Sequence, residues 1–267
     1  MTATETAVTR RFGPLILLNL ATLFSSTGNG IAIVVLPWLV LERTGRASDA
    51  AIVAGAATLP LLLSSLFAGT FVDLFGRRRT SMISDCLSAL SVAAIPVIAN
   101  TTGLTVTVIA VLAAIGAAFD PAGIAARESM LPAATKSAGG WSLDRMNSLY
   151  EANYNVAYLV GPGIGGVLIA TVGAVNTLWV TAVGFVLSVV TIAFLRLENA
   201  GRPDTSTRPT SIWHGTLEGL KFVWHNRLLR TIALVDMAVV ALYMPVESVV
   251  FPVYFTELDK PAQLVRC

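Results

Sequence analysis

Gly69-Thr70-Phe71-Val72-Asp73-Leu74-Phe75-Gly76-Arg77-Arg78-Arg79 sits between two long apolar segments. A carboxylate, a glycine and three arginines in so short a connection mark the place where the chain leaves an apolar environment and re-enters it. Basic residues at such an edge anchor topology. Asp73 needs a further explanation, because a carboxylate at the C-terminal end of a helix meets the negative end of its dipole and calls for a partner. Gly76 would permit the sharp reversal between two adjacent helices. Gly69 would allow a close helix approach.

Outward from this loop the chain is apolar. Of its 267 residues, 55% are hydrophobic and only 13% charged, and the mean hydropathy is +0.73. Soluble domains carry about 25% charged residues, so this surface cannot be covered for water. A cytosolic enzyme, a nucleic-acid binder and a disordered chain are excluded. The reading is an all-α integral membrane protein of about seven spans: Leu15–Leu41, Ala50–Val72, Ser81–Ala99, Leu104–Ala126, Asn147–Val172, Val175–Leu195 and Leu228–Phe255. The first run is too long for a signal-peptide core and has no A-x-A-like cleavage site, so it is read as a retained span. Cys86 and Cys267 suggest no disulfide framework, and no metal-ligand spacing is present.

An N-terminus inside places Arg10, Arg11, Arg77, Arg78, Arg79, Arg127, Lys136, Arg145, Arg196, Arg202, Arg208, Lys221, Arg227 and Arg230 on the cytoplasmic side, 14 of the 18 basic residues. Arg43, Arg46, Lys260 and Arg266 fall outside. The asymmetry predicts a cytoplasmic N-terminus. Three regions follow: a six-span bundle over 1–195, a polar cytoplasmic linker over 196–227, and a seventh span over 228–267. Within the linker, Trp213, Leu217, Leu220 and Trp224 recur at helical spacing. They predict an amphipathic helix that either lies on the inner membrane surface or packs on the ends of the spans. Six spans, a linker and a new span suggest a two-half transporter, with inverted three-helix repeats inferred from layout.

The fifth apolar segment contains Ala157-Tyr158-Leu159-Val160-Gly161-Pro162-Gly163-Ile164-Gly165-Gly166. Small residues let membrane helices pack closely, and proline can bend a span. Before it, Asn147, Glu151, Tyr154/Asn155 and Tyr158 form a polar stripe that should face a cavity or another helix; Asn153 falls opposite and is unexplained. The first segment adds Thr22, Ser25/Ser26 and Asn29, with Gly28-Asn29-Gly30 as a soft polar break that could line a substrate path.

Acids within spans require a partner, a wet cavity or a proton, since a central aspartate costs about 2.5–3.5 kcal/mol on insertion scales. Asp85 reads as one end of a structural salt bridge. Asp120 precedes Pro121, so capping a broken helix or pairing with the basic loop is favoured there over proton transfer. Asp236 and Glu247, 11 residues apart, fall on one face of the seventh segment. Glu151, Asp236 and Glu247 are the candidates for proton exchange.

The Asp73 loop resembles the loop 2–3 signature of the major facilitator superfamily, G-x-x-x-D-x-x-G-R-R/K, at every signature position, although Leu74 replaces the usual basic residue after the aspartate. The fifth segment resembles the antiporter signature G-x-x-x-G-P-x-x-G-G, with Ala157 for the first glycine. The resemblance implies the N-terminal six-helix half of a facilitator fold plus one further span. It gives Asp73, Gly76 and Arg77, with Gly69 and Arg78, a gating role, and implies a drug:proton antiporter with no cofactor beyond the proton gradient. The stretches Leu36–Leu41, Asp73–Arg79, Gly140–Arg145 and Pro245–Pro252 look like the Tap-type branch of actinobacterial multidrug pumps. That branch implies tetracycline and aminoglycoside export from a bacterial inner membrane. Its partners would be lipid, small-molecule drugs and protons. A facilitator of this kind normally has 12 spans, so a C-terminally truncated or frameshifted product is expected. The alternatives are a non-transporting membrane fragment or subunit that modulates a pump, and a seven-span receptor. The receptor reading lacks a lysine in the seventh segment for a retinal Schiff base. Enzyme motifs such as H-E-x-x-H and G-x-S-x-G are absent.

Overall fold

The computed structural model describes residues 12–101, 103–139, 141–197 and 212–245, and these residues are helical with no strand among them. In a bilayer every backbone N–H and C=O must be satisfied within the segment, which leaves helices as the solution for such apolar runs. The order is α1 (Gly13–Thr44), α2 (Ala47–Ser65), α3 (Ala68–Phe75), α4 (Arg77–Thr101), α5 (Val106–Ala117), α6 (Asp120–Ala138), α7 (Leu143–Val172), α8 (Ala174–Phe194), α9 (Ile212–His225) and α10 (Arg227–Pro245). Six stretches are long and apolar enough to cross a membrane: α1, α2, α4, α5 with α6, α7 and α8.

Local chemistry sets the ends. Gly45 closes α1 at φ +66° and Gly173 separates α7 from α8 at φ +85°. The Thr105 and Ser142 hydroxyls accept from Val108 and Arg145 backbone N–H groups, capping α5 and α7. The structure adjusts two expected boundaries. The second apolar segment breaks at Leu66–Phe67 into α2 and α3. The fourth does not stop at Ala126; it breaks at Ala118–Phe119 and runs on to Ala138. A hydropathy window ends at Arg127 and Glu128, but the helix continues because Arg127 turns inward.

The chain divides into two compact units at Ile212 and Trp213. In the first unit α1 packs against α7 and α8, α4 against α8 and α6, and α2 against α5. Two apolar layers fill it. One holds Val35, Leu39, Val53, Ile95, Ile109 and Leu178, and the other Leu18, Met130, Leu131, Met146, Tyr150 and Ile192. A buried polar layer lies between them along α1, at Thr22, Ser25 and Ser26. Leu62, Leu90, Leu159 and Phe194 lie on the outside, as a lipid-facing surface requires.

In the second unit α9 and α10 meet at Asn226, whose side chain accepts from the Leu228 and Leu229 N–H groups. Trp213, Leu217, Leu220 and Trp224 of α9 are exposed within this unit. α10 covers the first part of the expected seventh span; residues 246–255, with Glu247, lie outside the described residues.

Candidate functional site

The polar layer is built around one ion pair. Arg127 on α6 places Nη1 3.0 Å from Asp85 Oδ2 and 3.2 Å from Oδ1 on α4. Neither side chain is more than 2% exposed. Ser25 of α1 donates to Asp85 Oδ1 at 2.8 Å and accepts from Arg127 Nη2 at 3.1 Å. Ser188 of α8 lies 2.6 Å from Asp85 Oδ2 and 3.0 Å from the Ala21 carbonyl oxygen. One carboxylate thus ties four helices together. The close approach of α4 and α6 depends on Gly123, where a Cβ would meet Ser84 Oγ at 2.5 Å. Asp85 is half of a structural salt bridge, as its sequence position suggests. Its partner corrects the orientation argument: Arg127 is no loop residue and does not belong among the basic groups that set topology.

Asp120 lies one layer away, at the first residue of α6. The expected cap is not there, since the N-cap position is Phe119 and no side chain caps the helix. Nor does Asp120 form an ion pair among the described residues. Its Oδ1 lies 3.2 Å from Ser88 Oγ, which is equally close to the Gly116 carbonyl oxygen. Asn29 of α1 lies beside the same carboxylate, and Tyr154 and Tyr158 of α7 are within its electrostatic reach. Those two tyrosine rings stack at 6.1 Å and 12°.

At the end of the bundle where α3 turns into α4, Gly76 adopts φ +87° and ψ 144° and returns its N–H to the Val72 carbonyl at 2.9 Å. This is the reversal that its sequence position suggests. Arg78 reaches across to α8, donating to the carbonyl oxygens of Ile192 (Nε, 3.2 Å) and Ala193 (Nη2). It therefore caps the C-terminal end of α8, where a cation is favoured by the helix dipole. Asp73 and Arg77 are exposed, and Asp73 forms no ion pair among the described residues. Gly69 does not serve close packing: a Cβ there would meet open space.

The glycines of α7 divide into two sets. A Cβ on Gly161 would lie 2.8 Å from Gly30 Cα, and one on Gly30 would lie 3.0 Å from Gly161 Cα and from the Tyr158 carbonyl oxygen. α1 and α7 thus cross backbone on backbone, and Gly165 extends the contact to Ile31. Gly163 and Gly166 face open space. Ala157 is buried, and α7 runs through Pro162 without interruption. Asn153, unexplained in sequence, donates Nδ2 to the Asn19 carbonyl oxygen at 2.7 Å and fastens α7 to α1.

Of the polar residues read as cavity-lining, Thr22 and Ser26 are fully enclosed, Asn29 is half-buried, and Asn155 and Tyr158 are exposed on α7. Glu151 is exposed on the same helix, and Asp236 is exposed on α10. The residues that sequence reasoning underweighted are Asp120 and Arg127. Their spacing of seven puts them on one helix face within about 20°, a signal available before any coordinates.

Comparison with known proteins agrees with this arrangement. The profile of the Major Facilitator Superfamily matches residues 18–262. A protein named multidrug efflux pump Tap from Mycolicibacterium fortuitum is 56% identical over 255 residues, 94% of this chain and 62% of that protein. Its namesake from Mycobacterium bovis (strain BCG / Pasteur 1173P2) is 54% identical, covering 94% and 61%. A staphyloferrin A transporter of Staphylococcus aureus is 25% identical over 182 residues, 68% of this chain and 45% of that protein. The chain spans about 62% of the length of the first of these relatives. With two facilitator signatures set in a bundle of six spans and the family profile covering nearly its whole length, this chain belongs to the major facilitator superfamily.

Proposed function

We propose that this chain forms part of a bacterial plasma-membrane pump that exports small-molecule drugs by alternating access and draws on the proton gradient rather than a bound cofactor. The observation that carries the reading is the extent of its match to proteins named as multidrug efflux pumps, with both facilitator signatures inside the matched region. The geometry is in keeping with it. A backbone-on-backbone crossing at Gly30 and Gly161 suits a helix pair that rocks without repacking side chains. The positive-φ turn at Gly76 presents Asp73 and Arg77 at one end of the bundle, where a second bundle would engage them. α2 and α7 are the least covered of the six spans, with 11% and 17% of their apolar 18-residue stretch buried against 33–44% in the others. Those two helices therefore offer the docking face for a second half.

In this reading the N-terminus and the Gly76 end are cytoplasmic, in line with the basic residues Arg77, Arg78, Arg79 and Arg145 at that end. Glu151 exchanges protons from the exposed side of α7, with Asp236 and Glu247 as the corresponding groups of the seventh span. Tetracyclines and aminoglycosides are the first compounds to test. Cells expressing the gene should retain less tetracycline than cells without it, and Asp73→Ala and Glu151→Gln should each abolish the difference. Equal, gradient-independent efflux in wild type and both variants would remove the assigned roles.

A further inference from the structure

We infer that the second and fourth spans share a paired hinge, about which α2 and α5 swing together as one flap at the end of the bundle remote from Gly76. The motion is a property of the bundle itself, whatever passes through it. Both spans are broken, with α2 packed on α5 before the breaks and α3 on α6 after them. The two breaks share one conformation. Leu66 and Phe67 take φ/ψ of −64°/−28° and −103°/−5°. Ala118 and Phe119 take −61°/−26° and −111°/−3°. Each is a type I turn set into a helix, with ψ near zero at the phenylalanine. Phe71, one turn past the first break, meets Phe119 edge to face at 5.5 Å, so the breaks lie side by side.

Local chemistry accounts for both. Pro121 has no N–H to return to the Ala117 carbonyl, which opens the ladder of the fourth span. In the second span Ser64 and Ser65 donate back to the Leu61 and Leu62 carbonyl oxygens at 3.1 and 2.7 Å, a pattern that bends helices.

The two sides of the hinge differ in how firmly they are held. After it, Arg127 fixes α6 to Asp85 of α4 and Ser25 of α1, and the Thr80 hydroxyl of α4 reaches the Phe71 carbonyl oxygen of α3 at 3.4 Å. Before it, α2 buries only Asp49 and Val53, and α5 only Ile109, Ala110 and Ala113. So few and mostly small side chains interlock little with their neighbours. The last turn of α5 is the pivot. Ser88 Oγ lies 3.2 Å from the Gly116 carbonyl oxygen, and a Cβ at Gly116 would meet Ser91 Oγ at 2.5 Å. A held pivot with a lightly packed arm beyond it is a hinge in the mechanical sense.

The test is double electron–electron resonance on the full chain in lipid nanodiscs, with Cys86 and Cys267 replaced by serine and nitroxides at exposed positions. Labels on Ile52→Cys and Val180→Cys run from α2 to α8. Their distance distribution should be at least twice as wide as that of Lys136→Cys with Phe194→Cys, which joins α6 to α8 past the hinge. Ile52→Cys with Val111→Cys, inside the α2–α5 pair, should be as narrow as the second pair. Pro121→Ala combined with Ser64→Ala and Ser65→Ala should narrow the Ile52–Val180 distribution to the same width. An unchanged Lys136–Phe194 distance in that variant verifies its fold, and the wild-type comparison stands without it. A wild-type Ile52–Val180 distribution as narrow as that of Lys136–Phe194, one that stays wide in the folded triple variant, or a wide spread between Ile52 and Val111 overturns the inference.

Discussion

Arg127 and Asp85 face each other at 3.0 Å in the closed centre of the six-span bundle, and the pair is completed by serines from α1 and α8. Removing one partner leaves the other charge buried and unpaired, which costs about 3–5 kcal/mol in comparable cases. Arg127→Met and Asp85→Leu should each sharply lower the thermal midpoint of the purified protein. The double variant should recover much of the loss, because no bare charge remains. Scanning fluorimetry of the four proteins checks this, and a double variant as unstable as the worse single one would show that the pair does more than neutralise charge.

Gly161 and Gly30 predict a difference between neighbouring glycines on one helix. Gly161→Ala places a methyl group 2.8 Å from the α1 backbone, which should cost about 1–3 kcal/mol by overpacking. Gly163→Ala, two residues on, meets nothing within 4 Å and should leave stability unchanged or slightly higher. Thermal midpoints of the two variants give the comparison directly. Equal losses would mean that the crossing is not set by these backbones.

Gly76→Ala forces a side chain into φ +87°, ψ 144°, a region almost confined to glycine, at a cost of about 1–3 kcal/mol. Gly69→Ala sits in a helix with open space around it and should be neutral. Both glycines belong to the same signature, so the contrast separates the residue that makes the turn from the one that does not.

Arg78→Met should fray the last turn of α8. The guanidinium donates to the Ile192 and Ala193 carbonyls, and a charged hydrogen bond contributes about 1.5–3 kcal/mol when shielded and less at this partly exposed site. Hydrogen exchange at Phe194 and Leu195 should accelerate severalfold, with α1 unaffected. Unchanged exchange there would leave Arg78 as a topology anchor only.

Much of this was readable in the chain. The six spans, the Gly76 reversal and the need of Asp85 for a partner all follow from hydropathy, backbone freedom and the cost of a charge in lipid. The partner was not readable in the same way. A hydropathy window cannot distinguish an arginine leaving the membrane from one turned into the bundle, so Arg127 looked like a loop residue. Asp120 before Pro121 carries the sequence signal of a cap, and only the position of Ser88 and the empty cap at Phe119 show otherwise. Asn153 looked misplaced because its partner, the Asn19 carbonyl, is a backbone atom 134 residues away. Glycine spacing indicated close packing in general, but which of Gly161, Gly163 and Gly166 touches α1 depends on the crossing itself.

The most direct test of proton-driven export is proton movement coupled to drug in sealed liposomes containing the purified protein. With an imposed pH gradient, adding tetracycline should start proton flux through the wild type, and a protonophore or Glu151→Gln should abolish the coupled flux. Drug movement that proceeds at the same rate without a gradient, or no drug movement at all, would contradict proton-driven export.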